Sequence, residues 1–241
     1  MKLYYSTDPK IAVFTSLFES LVIHKTKHIN VFLSGGSAIG IYKYAVDKID
    51  SIISLAKNVG LDDLSHVTFT FSDERWFLDK DDMNINYNLI SNSGLFQTYS
   101  NQLSCRVVSI VNSNSLISDA EKLNQYLQDN FSNSYNLLIA GIGSDGHTCS
   151  IFPCENVEDF NFKYPDNKYA VSLTADNQFK ERITITPKTI SLMDEIMVYV
   201  AGEEKKSILK NIIFDDLPEY VLPGKLLLKN KNCGIYTDII I

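Results

Sequence analysis

His147 is the residue whose setting best suits proton transfer at neutral pH. It ends the run Gly141-Ile142-Gly143-Ser144-Asp145-Gly146-His147, directly after the apolar stretch 135–140. An unperturbed imidazole titrates near pH ~6.5, so it can take up and return a proton under ordinary conditions. The glycines leave room beside the ring, and Asp145 stands two residues away to orient it. A lone histidine is often structural; glycines and a carboxylate gathered at the end of an apolar run favour a catalytic reading.

Two further stretches carry polar groups at the ends of apolar runs. Ser34-Gly35-Gly36-Ser37 follows the run 29–33. Glycines there allow close backbone approach, and the N–H groups of the turn and of a following helix can face an anion. The same residues also suit a tight strand-to-helix turn. The stretch is not a P-loop, because no Gly-Lys-Ser/Thr follows, and Gly35-Gly36-Ser37-Ala38-Ile39 lacks the last glycine of a nucleophile elbow. Asp73-Glu74-Arg75 ends the run 66–71, where Arg75 could stabilise an oxyanion and Asp73 could orient a ligand or the arginine.

Other readings of the histidine stretch fail on context. Gly141, Gly143 and Gly146 satisfy the dinucleotide-binding spacing, but Pro153 limits any opening helix, and Asp159 and Asp166 fall in a polar loop. Cys149 and Cys154 beside His147 match no standard zinc spacing, so no metal and no cofactor is expected.

These residues need elements to hold them. Apolar spacing predicts a helix over 10–25, a strand over 29–33 and a helix from about 38 through the fifties. Strands are predicted at 66–71 and 135–140, with helices at 84–92 and 116–130 between them. Later strands are expected at 169–173, 181–186, 195–201 and 233–238, and a helix at 203–213. Alternating strands and helices indicate an α/β fold with a predominantly parallel sheet covered on both faces. Ligands bind beyond the carboxyl ends of such strands, so the three stretches are expected to share one site. No repeat or linker divides the chain, and residues 1–241 are read as one domain.

Composition narrows the classes. With 45% hydrophobic and 21% charged residues, the chain reads as a water-soluble globular protein. No apolar run approaches a membrane span, and Asp8, Pro9 and Lys10 interrupt any export signal. The four cysteines are accordingly expected as reduced thiols in a cytoplasm. A net charge of −7 without a basic stripe argues against nucleic acid, while a local cluster of positive groups could still bind a small anion. Only three of the 22 basic residues are arginines: Arg75, Arg106 and Arg182.

In order along the chain, Leu-Ser-Gly-Gly-Ser at 33–37, Phe-Ser-Asp-Glu-Arg at 71–75 with Asn-Ile-Asn-Tyr-Asn-Leu-Ile at 84–90, Gly141 to Pro153, Glu-Arg-Ile-Thr-Ile-Thr-Pro at 181–187 and Gly-Glu-Glu-Lys-Lys-Ser-Ile-Leu at 202–209 resemble the 6-phosphogluconolactonase family. That family is related to the glucosamine-6-phosphate deaminases, and the likeness runs from about residue 10 to residue 240. It implies a Rossmann-like three-layer sandwich and a phosphosugar lactone as substrate, hydrolysed in the oxidative pentose phosphate pathway. His147 would match the general base, supported by Asp145. Ser34, Gly35, Gly36, Ser37 and Gly143 would line the substrate and phosphate site. Arg182 and Lys205 would match basic positions serving the phosphate, and Asp73 and Arg75 would lie in the cleft. The deaminases carry a glutamate five positions after the histidine, where this chain has Phe152, and usually a tyrosine where it has Arg75. Both differences favour the lactonase over a deaminase, and the retained polar residues disfavour a binding protein without turnover. The family loop usually continues Thr-Pro where this chain has Ala38 and Ile39, so a weaker hold on the phosphate is expected.

Overall fold

β-Branched and aromatic runs form most of the strands in the computed structural model, which describes residues 1–241. In chain order they are β1 (Lys2–Tyr5), β2 (Ile29–Leu33), β3 (Val67–Phe71), β4 (Asp73–Arg75), β5 (Arg106–Val107), β6 (Tyr135–Gly141), β7 (Ala170–Thr174), β8 (Glu181–Ile185), β9 (Glu195–Val200) and β10 (Cys233–Thr237). The helices are α1 (Pro9–Ile23), α2 (Ile39–Asp47), α3 (Ile49–Asn58), α4 (Asn86–Ser91), α5 (Leu95–Leu103), α6 (Leu116–Asn130), α7 (Val157–Lys163), α8 (Pro187–Ser191), α9 (Lys206–Phe214) and α10 (Lys225–Leu228). Pro9 and Pro187 open α1 and α8, where a missing N–H costs nothing.

Seven strands form one sheet in the order β1-β10-β9-β6-β2-β3-β5. Every pairing in it is parallel. β2 and β3 are buried along their whole length, as strands covered by helices on both faces must be. The chain runs outward from β2 through β3 to β5, then crosses back to place β6 on the other side of β2. The switch point therefore lies between β2 and β6, and the loops leaving their carboxyl ends diverge around a crevice.

The expected single sheet is corrected in one respect. β4, β8 and β7 form a separate three-stranded antiparallel sheet. Ser72 is the corner between the two sheets: its N–H donates to the Leu33 carbonyl at 2.9 Å, and its own carbonyl accepts from Ile185 N–H at 2.9 Å. The second sheet thus grows directly from the end of β3 and stands beside the crevice. The helix expected from 38 through the fifties is divided at Lys48, whose dihedrals are φ −105° and ψ 11°, although no glycine or proline marks the break. A contiguous apolar cluster includes side chains from strands of both sheets, Phe71 and Leu138 from one and Ile183 and Ile185 from the other.

Candidate active site

The carboxyl ends of β2, β3 and β6 open onto a cleft of about 300 Å³. After β2, the chain at Ser34 is held by Tyr42 of α2. The Ser34 N–H donates to the Tyr42 hydroxyl at 3.1 Å, and that hydroxyl donates to the Ser34 carbonyl at 2.9 Å. Gly36 follows at φ +61°, a left-handed conformation that favours glycine, and opens a 3₁₀ turn leading into α2. Gly35, Gly36 and Ser37 line the cleft together with Ser34, at the positive end of a helix. Ala38 is fully buried and turns away from the cleft. The weaker hold on the phosphate expected from Ala38 therefore has no direct contact behind it at that position, where the side chain packs into the core.

Across the switch point, β6 runs into the histidine stretch. His147 Nδ1 lies 2.5 Å from Asp145 Oδ1, and that oxygen also accepts the His147 backbone N–H at 3.2 Å. Burial pushes the Asp145 carboxyl up, but its hydrogen bonds and charge interaction with His147 outweigh this and hold it below the ordinary carboxylate range. The Nδ1–Asp145 contact orients the ring and leaves Nε2 as its other nitrogen. The imidazole lies over Gly143: a Cβ there would come within 2.1 Å of Nδ1 and 2.2 Å of Cε1. Gly146 is needed for its φ of +86°. Cys149 takes φ +52°, rare for a side-chain-bearing residue, and burial pushes its thiol up to about 12, leaving it unreactive at neutral pH.

The second sheet brings two guanidinium groups to the third side. Arg75 of β4 and Arg182 of β8 are direct cross-strand partners. Like charges in such a pair repel. Arg75 Nη1 donates to the Asn84 carbonyl at 3.3 Å, and its guanidinium lies 4.2 Å from the centre of the Phe179 ring. Arg182 Nε donates to the Phe179 carbonyl at 2.7 Å. Neither enters an ion pair with a carboxylate. Burial lowers the Arg182 pKa, the Asp73 charge opposes this, and the Arg75 charge adds to the lowering. An anion seated between the two arginines would relieve both their repulsion and their desolvation.

Asp73 itself is buried, with Oδ2 accepting from the Ser150 hydroxyl at 2.7 Å and Oδ1 from the Ser72 hydroxyl at 3.1 Å. It is anchored by serines instead of orienting Arg75 directly. Lys205, following β9, reaches the cleft with Nζ donating to the Ile142 carbonyl at 3.1 Å.

Every residue that the family resemblance assigns to the site lines this cleft except Asp145, which stands behind His147; Arg106 and Glu74 do not line it. Sequence reasoning passed over Asn86, which lines it as well, and Phe179, which carries the guanidinium groups on its face. It also passed over the task of Glu74, which is wholly buried and accepts the N–H groups of Arg75, Asn86 and Tyr87 at 2.7, 2.5 and 2.9 Å. Asn86 and Tyr87 open α4, so Glu74 caps that helix from a neighbouring strand. The place of Asn86 within the family-like run 84–90 is its only signal in the sequence. Phe152, at the position of the deaminase glutamate, packs its ring 5.0 Å from His147 and 5.8 Å from the Arg182 guanidinium.

Comparison with known proteins places these features in a family. The family described as glucosamine-6-phosphate isomerases/6-phosphogluconolactonase matches residues 13–234. The 6-phosphogluconolactonase of Bos taurus is 32% identical over 109 residues, which are 45% of this chain and 40% of that protein. The 6-phosphogluconolactonase of Borreliella burgdorferi is 25% identical over 170 residues, 66% of each. The matched stretches span about two-fifths to two-thirds of these relatives' length. A crystal structure of a 6-phosphogluconolactonase from Shewanella baltica superposes with a TM-score of 0.73 at 22% identity, covering 98% of this chain and 95% of that one. This last likeness establishes the α/β fold.

Proposed function

Because the chain belongs to the glucosamine-6-phosphate isomerase/6-phosphogluconolactonase family, we propose that it hydrolyses 6-phospho-D-glucono-1,5-lactone to 6-phospho-D-gluconate, a step of the oxidative pentose phosphate pathway. The observation that carries this reading is one cleft holding a carboxylate-oriented imidazole and two guanidinium groups without carboxylate partners. The substrate would need both: a base for water and positive charge for the developing oxyanion at its lactone end, and positive charge for its phosphate at the other.

In this mechanism the phosphate sits on the N–H groups of Gly35, Gly36 and Ser37, with Arg182 and Lys205 supplying charge. His147 Nε2 takes a proton from water while Asp145 holds Nδ1–H and steadies the imidazolium that forms. The resulting hydroxide adds to the lactone carbon, and Arg75 stabilises the negative oxygen of the tetrahedral intermediate. Collapse breaks the bond to the ring oxygen, which takes the proton back from His147. Asp73, fixed by Ser72 and Ser150, accepts from a sugar hydroxyl. Phe152 in place of a titratable side chain supports hydrolysis over deamination, which needs an additional acid–base group.

No helix is long and apolar enough to cross a membrane. All four cysteines are unpaired and buried, which is compatible with a reducing, cytoplasmic setting, and the net charge of −7 without a basic stripe fits a small phosphosugar better than nucleic acid. The test generates the lactone with glucose-6-phosphate dehydrogenase and follows 6-phosphogluconate formation through a second dehydrogenase. Wild type, His147→Ala and an enzyme-free blank are compared, since the lactone also hydrolyses unaided. Acceleration over the blank that falls by about 10²–10⁴ in His147→Ala supports the reading; no acceleration by wild type refutes it.

A further inference from the structure

Gly35 is a glycine for the sake of its neighbour. Its dihedrals, φ −78° and ψ −155°, are extended and open to any residue, so backbone freedom does not account for it. A Cβ at this position would lie 2.2 Å from Asn86 Oδ1 and 2.7 Å from Asn86 Cγ. The carboxamide of Asn86 occupies the space that a side chain at 35 would fill.

Asn86 is held firmly in that place. Its Nδ2 donates to the Asp73 carbonyl at 3.1 Å, and its backbone N–H donates to Glu74 Oε1 at 2.5 Å. Glu74 fastens the start of α4 to β4, and Asn86 carries that fastening on to the loop after β2. Asn86 Oδ1 is buried without a hydrogen-bond partner. Leaving such a group unpaired is destabilising, and an apolar side chain of similar size would avoid that cost. A polar wedge kept at that cost between two sides of a cleft points to a task in ligand binding.

We propose that Asn86 is a positioning residue for the anion-binding loop. It fixes the separation between Gly35-Gly36-Ser37 and the Asp73–Arg75 strand, and so the span between the phosphate end and the reacting end of a bound phosphosugar. The inference rests on the lactonase reading for the reacting end only; the anion end is tested without turnover.

The experiment is a double-mutant cycle of Gly35→Ala, Asn86→Ala and the pair, with 6-phosphogluconate binding measured by calorimetry and kinetics by the coupled assay. Each single change is expected to weaken binding and raise KM about tenfold, with a smaller fall in kcat, as for an interaction with the bound phosphosugar rather than with the transition state alone. In the double variant the added methyl enters the space vacated by the carboxamide, so its binding should be several-fold tighter than that of Gly35→Ala. Should Gly35→Ala fail to fold, Asn86→Leu carries the test. It keeps the bulk, loses both hydrogen-bonding atoms, and should weaken binding with an unfolding midpoint equal to or above that of wild type. Unchanged binding in Asn86→Ala, or losses that merely add in the double variant, overturn the proposal. Coupling of the two sites in 6-phosphogluconate binding without lactone turnover would leave this inference standing and remove the lactonase reading; turnover without coupling would do the reverse.

Discussion

Gly143→Ala should separate activity from stability more sharply than any other single change. The added Cβ would sit 2.1 Å from His147 Nδ1, 2.2 Å from Cε1 and 2.6 Å from Asp145 Oδ1. Carbon atoms in comfortable contact lie about 3.5–4.0 Å apart, so the imidazole must move by more than about 1 Å. That movement takes Nδ1 off Asp145, where it is held at 2.5 Å. Misplacement of a reacting group by about 1 Å costs about 10²-fold in rate, and kcat is expected to fall by that factor. KM should change little, because the Gly35–Ser37 loop, proposed to hold the phosphate, lies on the other side of the switch point. The fold should tolerate the change: His147 is 34% exposed on its side chain and has room to swing outward. Alanine for glycine also reduces the entropy of the unfolded chain, worth about 0.4–1 kcal/mol toward stability where the backbone accepts it. The coupled lactonase assay gives kcat, and urea unfolding gives stability on the same sample. A variant with kcat within about threefold of wild type would refute the claim that an Asp145-held imidazole performs the chemistry.

Asp145→Asn keeps the shape but removes the charge that steadies His147, and should lower kcat about 10²-fold or more at unchanged KM in the same assay. Arg182→Met keeps the stem and removes one of two facing charges. Phosphate or 6-phosphogluconate should then bind about 10–100-fold more weakly by calorimetry, while the unliganded protein loses no stability to the missing charge. Glu74 predicts a pH effect on stability. Burial pushes its carboxyl up to about 8 in the fold while three N–H donors pull the other way. A folded value above the unfolded one means that its contribution is full below the ordinary carboxylate range and is lost as pH rises through about 8. The urea midpoint of wild type should therefore fall between pH 5 and 9, in part through Glu74, and Glu74→Gln should flatten that slope. Ala38→Thr, which restores the hydroxyl common in the family, should leave KM unchanged and reduce stability by about 1–3 kcal/mol through overpacking, since Ala38 is buried.

The parallel core was legible because its strands are short apolar runs that end in polar turns. Residues 29–33 were placed to the residue, and α6 matched the predicted 116–130. The second sheet was not legible, because period-two patterning shows that a segment is extended but not which sheet receives it. β7 and β8 read like any other buried strands; only Ser72, shared by the two sheets, decides their place, and a serine announces nothing. β1 was missed for a related reason: all four of its residues are exposed, so it carries no burial pattern. β5 is two residues long, too short for any period to show.

At the site, residues that contribute a charge or a positive φ were legible, as was Asp145 beside His147, while holding residues from elsewhere in the chain were not. His147, Arg75 and Gly36 are recognisable by type at the end of a strand. Glu74 stands in the same tripeptide as Asp73 and Arg75, yet its side chain turns inward, since successive side chains of a strand point to opposite faces. Alternation could therefore have predicted that Asp73 and Arg75 share one face while Glu74 takes the other. What it could not supply was the distant partner, because two of the three N–H groups that Glu74 accepts belong to α4, 12 and 13 positions along the chain. Gly35 shows the same limit from the other side. Its glycine reads as backbone freedom for an anion, whereas its dihedrals are ordinary and the constraint comes from Asn86. A motif glycine thus records whichever neighbour comes closest, and only the three-dimensional arrangement distinguishes a ligand from a carboxamide.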